Sequence, residues 1–108
     1  MTERQVLSDV IKKLKFHPDI IWFTRLQSGS MGGYTLNPAG TPDIMAVVDQ
    51  RNGSIAIMFI EIKRPGKTGL DYEQIRFFET MAGKPKIMCV MVNDVAQVTT
   101  YIKIAKEI

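Results

Sequence analysis

The chain has 108 residues, 45% of them hydrophobic and 23% charged, with a formal net charge of +3. That length accommodates one domain, residues 1–108, with a single core, and is too short for two. The composition is that of an ordinary soluble globular protein, no apolar run approaches the roughly 20 residues that span a bilayer, and the small positive charge is compatible with a polyanionic partner without pointing to one.

Thr2-Glu3-Arg4-Gln5 has the form of a capping box, with Thr2 at the N-cap and Gln5 at the third helical position. The same polar start lacks the apolar centre of a signal peptide. Val6, Leu7, Val10, Ile11 and Leu14 then recur at helical spacing on one face, and Pro18 stops the helix. Lys12, Lys13 and Lys15 lie near its end, where cations suit the helix dipole. His17 is the only histidine, stands before Pro18 in a turn, and reads as a surface residue with no second histidine to complete a zinc site.

Ile20 to Leu26 is rich in β-branched and aromatic residues and predicts a strand. Gln27 to Gly40 contains four glycines and has no periodic signal. It reads either as a long hairpin loop or as a loop that meets a substrate or a second subunit, and no Gly-Lys-Ser/Thr makes it a phosphate-binding loop. Asp43 to Val48 predicts the second strand, Asn52-Gly53 marks a hairpin turn, and Ile55 to Lys63 predicts the third strand. The long apolar run of the third strand suits a central position covered on both faces.

Arg64 to Gly69 breaks that strand and is basic. Asp71-Tyr72-Glu73-Gln74 is a second capping box, opening a helix to about Ala82 with Ile75, Phe78 and Met81 facing inward, Phe77 beside them and Gly83 as C-terminal cap. Lys86 to Val92 predicts the fourth strand, parallel to the third because a helix of about three turns joins them. Asp94 to Gln97 opens a last helix with Val95, Val98, Ile102 and Ala105 on one face. Cys89, the only cysteine, has apolar neighbours and reads as a buried structural thiol; without a disulfide partner it points to a reducing compartment. The order is α-β-β-β-α-β-α, an α/β fold with a four-stranded mixed sheet flanked by helices.

Within this order three charged residues stand out. Glu61 and Lys63 end an otherwise apolar strand and, by alternation, share one face. Charge there is costly unless it is paired, hydrated or holding an ion. If the second and third strands pair, Asp43 comes close to Glu61. Two carboxylates and an ammonium at a strand end suit a hard divalent cation and an activated water, hence phosphodiester hydrolysis. Asp43 and Glu61 would hold Mg²⁺ with the backbone carbonyl of Ile62, and Lys63 would orient the water or stabilise developing charge. The bland alternative is a surface Glu-Lys pair and a turn aspartate.

Gly40-Thr41-Pro42-Asp43, then Phe59-Ile60-Glu61-Ile62-Lys63, then Gln74 on the next helix resemble the VRR-NUC domain of the PD-(D/E)XK nuclease superfamily, over nearly the whole chain from Glu3 to the last strand. The resemblance implies a restriction-endonuclease-like core and a metal-dependent endodeoxyribonuclease using Mg²⁺, with Mn²⁺ as a substitute. It implies a catalytic glutamate on the first helix, matched by Glu3, and a glutamine matched by Gln74. From the residues alone, Glu3 is also a favourable first-turn carboxylate and Gln74 the capping partner of Asp71, where the family often has serine. Arg25 and Ser28 fall where the family tends to have an arginine and small polar residues, for a phosphate contact or as a solvated strand end. Arg64, Lys67 and Arg76 follow the site and either track a DNA backbone or form a solvated basic face. Stand-alone members are similar to phage and bacterial proteins that cut branched DNA such as Holliday junctions as homodimers, in the cytoplasm of a bacterial cell. Symmetric cutting of a four-way junction needs two sites related by a two-fold axis. The alternatives are a flap or duplex nuclease of the same chemistry and a non-catalytic nucleic-acid-binding module.

Overall fold

Both capping boxes form. Gln5 N donates to Thr2 Oγ1 (3.2 Å) and Thr2 N to Gln5 Oε1 (2.6 Å), which starts α1 (Glu3–Phe16). In the computed structural model, which describes residues 1–27, 30–31, 34–35 and 37–108, the remaining elements are β1 (Ile20–Arg25), β2 (Ser30–Met31), β3 (Tyr34–Thr35), β4 (Ile44–Asp49), β5 (Ile55–Ile62), α2 (Tyr72–Met81), β6 (Ile87–Val92) and α3 (Ala96–Ala105). The main sheet has the order β1-β4-β5-β6, antiparallel from β1 to β5, with β6 parallel to β5. The α/β class, the mixed four-stranded sheet and the predicted succession of its strands and helices are all present. The stretch read as a loop also holds a second, two-stranded ladder, Ser30 with Thr35 and Met31 with Tyr34. Strands of two residues are too short to leave an alternation.

The sheet has one densely packed face. Alternate residues of β4 and β5, such as Ile44, Ala46, Met58 and Ile60, are fully buried together with Val6, Val10 and Leu14 of α1 and Val98, Ile102 and Ala105 of α3. The opposite face carries Val47, Ile57, Phe59 and Cys89 and, among the described residues, α2 is the helix that covers it. Phe77 meets Phe59 edge-on, with ring centroids 5.1 Å apart. β5 is therefore central but not equally covered: Ile57 and Phe59 stay half-buried. Likewise α2 buries no residue completely, and Ile75, expected to face inward, is 41% exposed. A single helix of 10 residues does not cover a four-stranded face. For the same reason Cys89 is half-buried rather than buried, although burial still pushes its thiol up to about 11. Gly83 follows α2 at φ +76°, as the cap requires. No helix among the described residues is long and apolar enough to cross a membrane.

Candidate active site

The β4–β5 register carries Asp43 to Glu61. Ile44 pairs with Ile60, so the residue before the first faces the residue after the second. Asp43 N donates to Ile60 O (3.0 Å), and Asp43 Oδ2 accepts from Ile62 N (2.7 Å), which fixes the carboxylate at the strand end. The preceding turn is built locally. Thr41 Oγ1 and Thr41 N both donate to Pro38 O, at 2.7 and 3.2 Å, and Pro42 is fully buried. Gly40 has φ +87°, and a Cβ on it would fall against the backbone carbonyl of Glu73. Glycine thus serves twice, supplying the positive φ and letting the first turn of α2 close on the Asp43 turn.

That first turn carries Gln74. Its backbone N–H donates to Asp71 Oδ1 (2.9 Å) and its Oε1 accepts from Asp71 N (2.9 Å), completing the capping box. The same Oε1 accepts from Lys63 Nζ (2.9 Å), and Nε2 donates to Glu61 Oε1 (2.7 Å). The capping and site readings of Gln74 are one geometry. Glu61 and Lys63 are only 5% and 7% exposed, with 3.9 Å between Lys63 Nζ and Glu61 Oε1, so they are not a surface ion pair.

Burial is the main cause that raises both carboxyls. For Asp43 the Ile62 N–H opposes it and the charge of Glu3 adds to it. Glu61 is pushed up to about 8, first by burial and then by the charge of Asp43, with Lys63 pulling the other way. Glu61 Oε2 is buried and has no hydrogen-bond partner among the described residues. An orphaned carboxylate oxygen in a site short of positive charge, beside a second carboxylate, fits a hard oxygen-seeking cation. Among the described residues no three His, Cys, Asp or Glu side chains form a metal-binding group. Asp43 and Glu61 offer two carboxylates, a donor set that fits a cation that keeps several waters, as Mg²⁺ does.

A cleft of about 680 Å³ opens beside this cluster, with Glu3, Asp43 and Ile62 along it. Arg25 lines it as well, because it pairs with Ile44 on the α1 side of the sheet. Of the predicted residues, Asp43, Glu61, Lys63 and Gln74 thus come together, and Glu3 and Arg25 reach the adjoining cleft. Arg64 and Lys67 are exposed on the loop after β5 and do not line it. Arg76 instead stands over the ring of Tyr72, 5.9 Å from its centroid. Ser28 lies outside the described residues. Arg4, Lys12 and Lys15 also line the cleft and were not anticipated. Their signal was a basic row on α1 flanking the apolar stripe. Comparison of the chain with protein-family models, with curated proteins and with solved structures finds no match.

Proposed function

We propose that the protein is a metal-dependent endodeoxyribonuclease with a VRR-NUC-like, restriction-endonuclease-like core, acting on branched DNA as a homodimer and most suited to four-way junctions. One observation carries this reading: Glu61 is buried across from Asp43 with one oxygen held by Gln74 and the other without a partner among the described residues, and Lys63 is buried beside it. Asp43, Glu61 and the Ile62 carbonyl would hold Mg²⁺ or Mn²⁺. When bound, such a cation supplies a water of lowered pKa and polarises the phosphate. Lys63 presents a fixed positive charge where the phosphodiester gains negative charge, and Gln74 holds that ammonium and Glu61 in register. Glu3 adds a third carboxylate at the cleft, and Arg25 offers a phosphate contact. Arg64 and Lys67 offer further contacts on the exposed loop. The single cysteine suits a reducing cytoplasm.

The test compares cleavage of a labelled four-way junction, a flap and a linear duplex in Mg²⁺ and in Mn²⁺ by the wild type and by Lys63→Met, which keeps the stem of the side chain. Junction cutting at paired sites is expected, with kcat down about 10²-fold or more in the variant. Unchanged cleavage by Lys63→Met would remove the catalytic assignment. A wild type that binds DNA without cutting it would make the chain a binding module. Faster cutting of flap or duplex would reassign the substrate, and full junction cleavage by a monomer in sedimentation would remove the homodimer.

A further inference from the structure

Four cations, Arg4, Lys12 and Lys15 of α1 and Arg25 of β1, line the same cleft as Glu3 and Asp43. Among the described residues none of the four forms an ion pair, whereas Arg51 and Lys106 both pair with Asp19. The α1 cations follow helical geometry. Arg4, Ser8 and Lys12 are four residues apart and form one row, and Leu7, Ile11 and Lys15 form the adjacent row, all lining the cleft. The buried Val6, Val10 and Leu14 hold α1 on the sheet, with Leu7 and Ile11 packed at the edge of that core, and Arg4, Ser8, Lys12 and Lys15 stay exposed and are free for another role. From Arg4 to Lys15 the helix advances about 16 Å, on the order of the axial rise of five base pairs of a duplex. A row of unneutralised cations with a hydroxyl among them, an apolar strip beside it and carboxylates at one end suits a repeating polyanion.

We infer that the cleft holds one strand of the DNA substrate along α1, with its phosphates on Arg25, Arg4, Lys12 and Lys15 and the scissile phosphate at the Glu3–Asp43 end. This rests on the nuclease reading. It routes this strand along α1 and leaves the Arg64–Lys67 loop to other parts of the DNA.

Anisotropy titrations of a fluorescein-labelled four-way junction, with Ca²⁺ in place of Mg²⁺ and over a range of salt, test it alongside the salt dependence of KM for cleavage in Mg²⁺. The proteins are the wild type, Lys12→Ala/Lys15→Ala, Lys12→Glu/Lys15→Glu and Arg64→Ala/Lys67→Ala, each checked by circular dichroism. Both lysines are exposed, so the fold is expected to survive. The α1 alanine pair should lower the slope of log K against log salt by about one per lysine removed, whatever the DNA sequence, and the glutamate pair should weaken binding further. A wild-type slope in the α1 variants, with the loss falling on Arg64→Ala/Lys67→Ala, would overturn the assignment and leave the nuclease intact. A wild type that neither binds nor cuts any DNA would instead overturn the nuclease reading, and this one with it.

Discussion

Glu61 is the residue on which the site turns, because its environment opposes its charge. The ordinary glutamate value is 4.5 and the folded protein raises Glu61 to about 8, chiefly by burial. Below pH 4.5 the folded and unfolded chains both hold the proton. Between 4.5 and about 8 the unfolded chain has released it while the folded chain keeps it, so the folded state loses relative stability as pH rises through that window. Asp43 is raised for the same main reason and adds to the fall at the lower end. In EDTA, the urea midpoint of the wild type should therefore drop steadily from pH 5 to pH 8. Glu61→Gln keeps an acceptor for Gln74 Nε2 and removes the charge, so its profile should be flatter and its midpoint at pH 8 higher. Added Mg²⁺ should restore the wild type at pH 8 through binding to the folded state alone and leave Glu61→Gln unmoved. A wild-type midpoint that does not change with pH would show that Glu61 is not held protonated.

At the scale of elements, the close approach of the Asp43 turn to α2 assembles the site. Gly40 and Gly53 form a matched pair for testing this. Both have positive φ, +87° and +86°, but a Cβ on Gly40 meets the Glu73 backbone whereas one on Gly53 meets nothing within 4 Å. Gly53→Ala should cost only the left-handed strain, about 1–2 kcal/mol. Gly40→Ala adds the expense of pushing α2 away, for a total of about 2–5 kcal/mol. It should also lower kcat more than it raises KM, since Gln74 moves with the helix. Equal loss of stability and activity in the two variants would mean that the contact does not position Gln74. Much of this assembly was legible beforehand. The Thr2-Gln5 and Asp71-Gln74 boxes, the alternation that sends Glu61 and Lys63 to one face, and the pairing of β4 with β5 follow from local sequence. The cover over Ile57 and the basic lining of the cleft do not. Periodicity says which side of α2 faces the sheet but not how much sheet lies beneath it. Lys12 and Lys15, which fit a dipole role locally, become cleft residues only because α1 lies alongside Arg25 and Asp43.

Over the whole molecule the two faces of the sheet differ in kind. One is a closely packed apolar core between the sheet and two helices, α1 and α3; the other, among the described residues, depends on α2, which buries no residue fully and is held by the Phe59–Phe77 contact, the approach at Gly40 and the bonds of Gln74. Local opening free energies track buried apolar contact, so α2 should open well below the global unfolding free energy while α1 and β5 open only with it. Native-state hydrogen exchange in EDTA should show residues 72–81 exchanging at lower denaturant than the amides of α1. Gln74→Ala should lower protection across α2 without moving that of α1, because it cuts the bonds to Glu61 and Lys63 that join α2 to the sheet. Mg²⁺ should raise α2 protection in the wild type and not in Gln74→Ala if the helix and the carboxylates are coupled through that side chain. Equal protection of α1 and α2 would mean that the thin face is as stable as the thick one. The network at Gln74 would then be a consequence of the fold and not a part of what holds α2 in place.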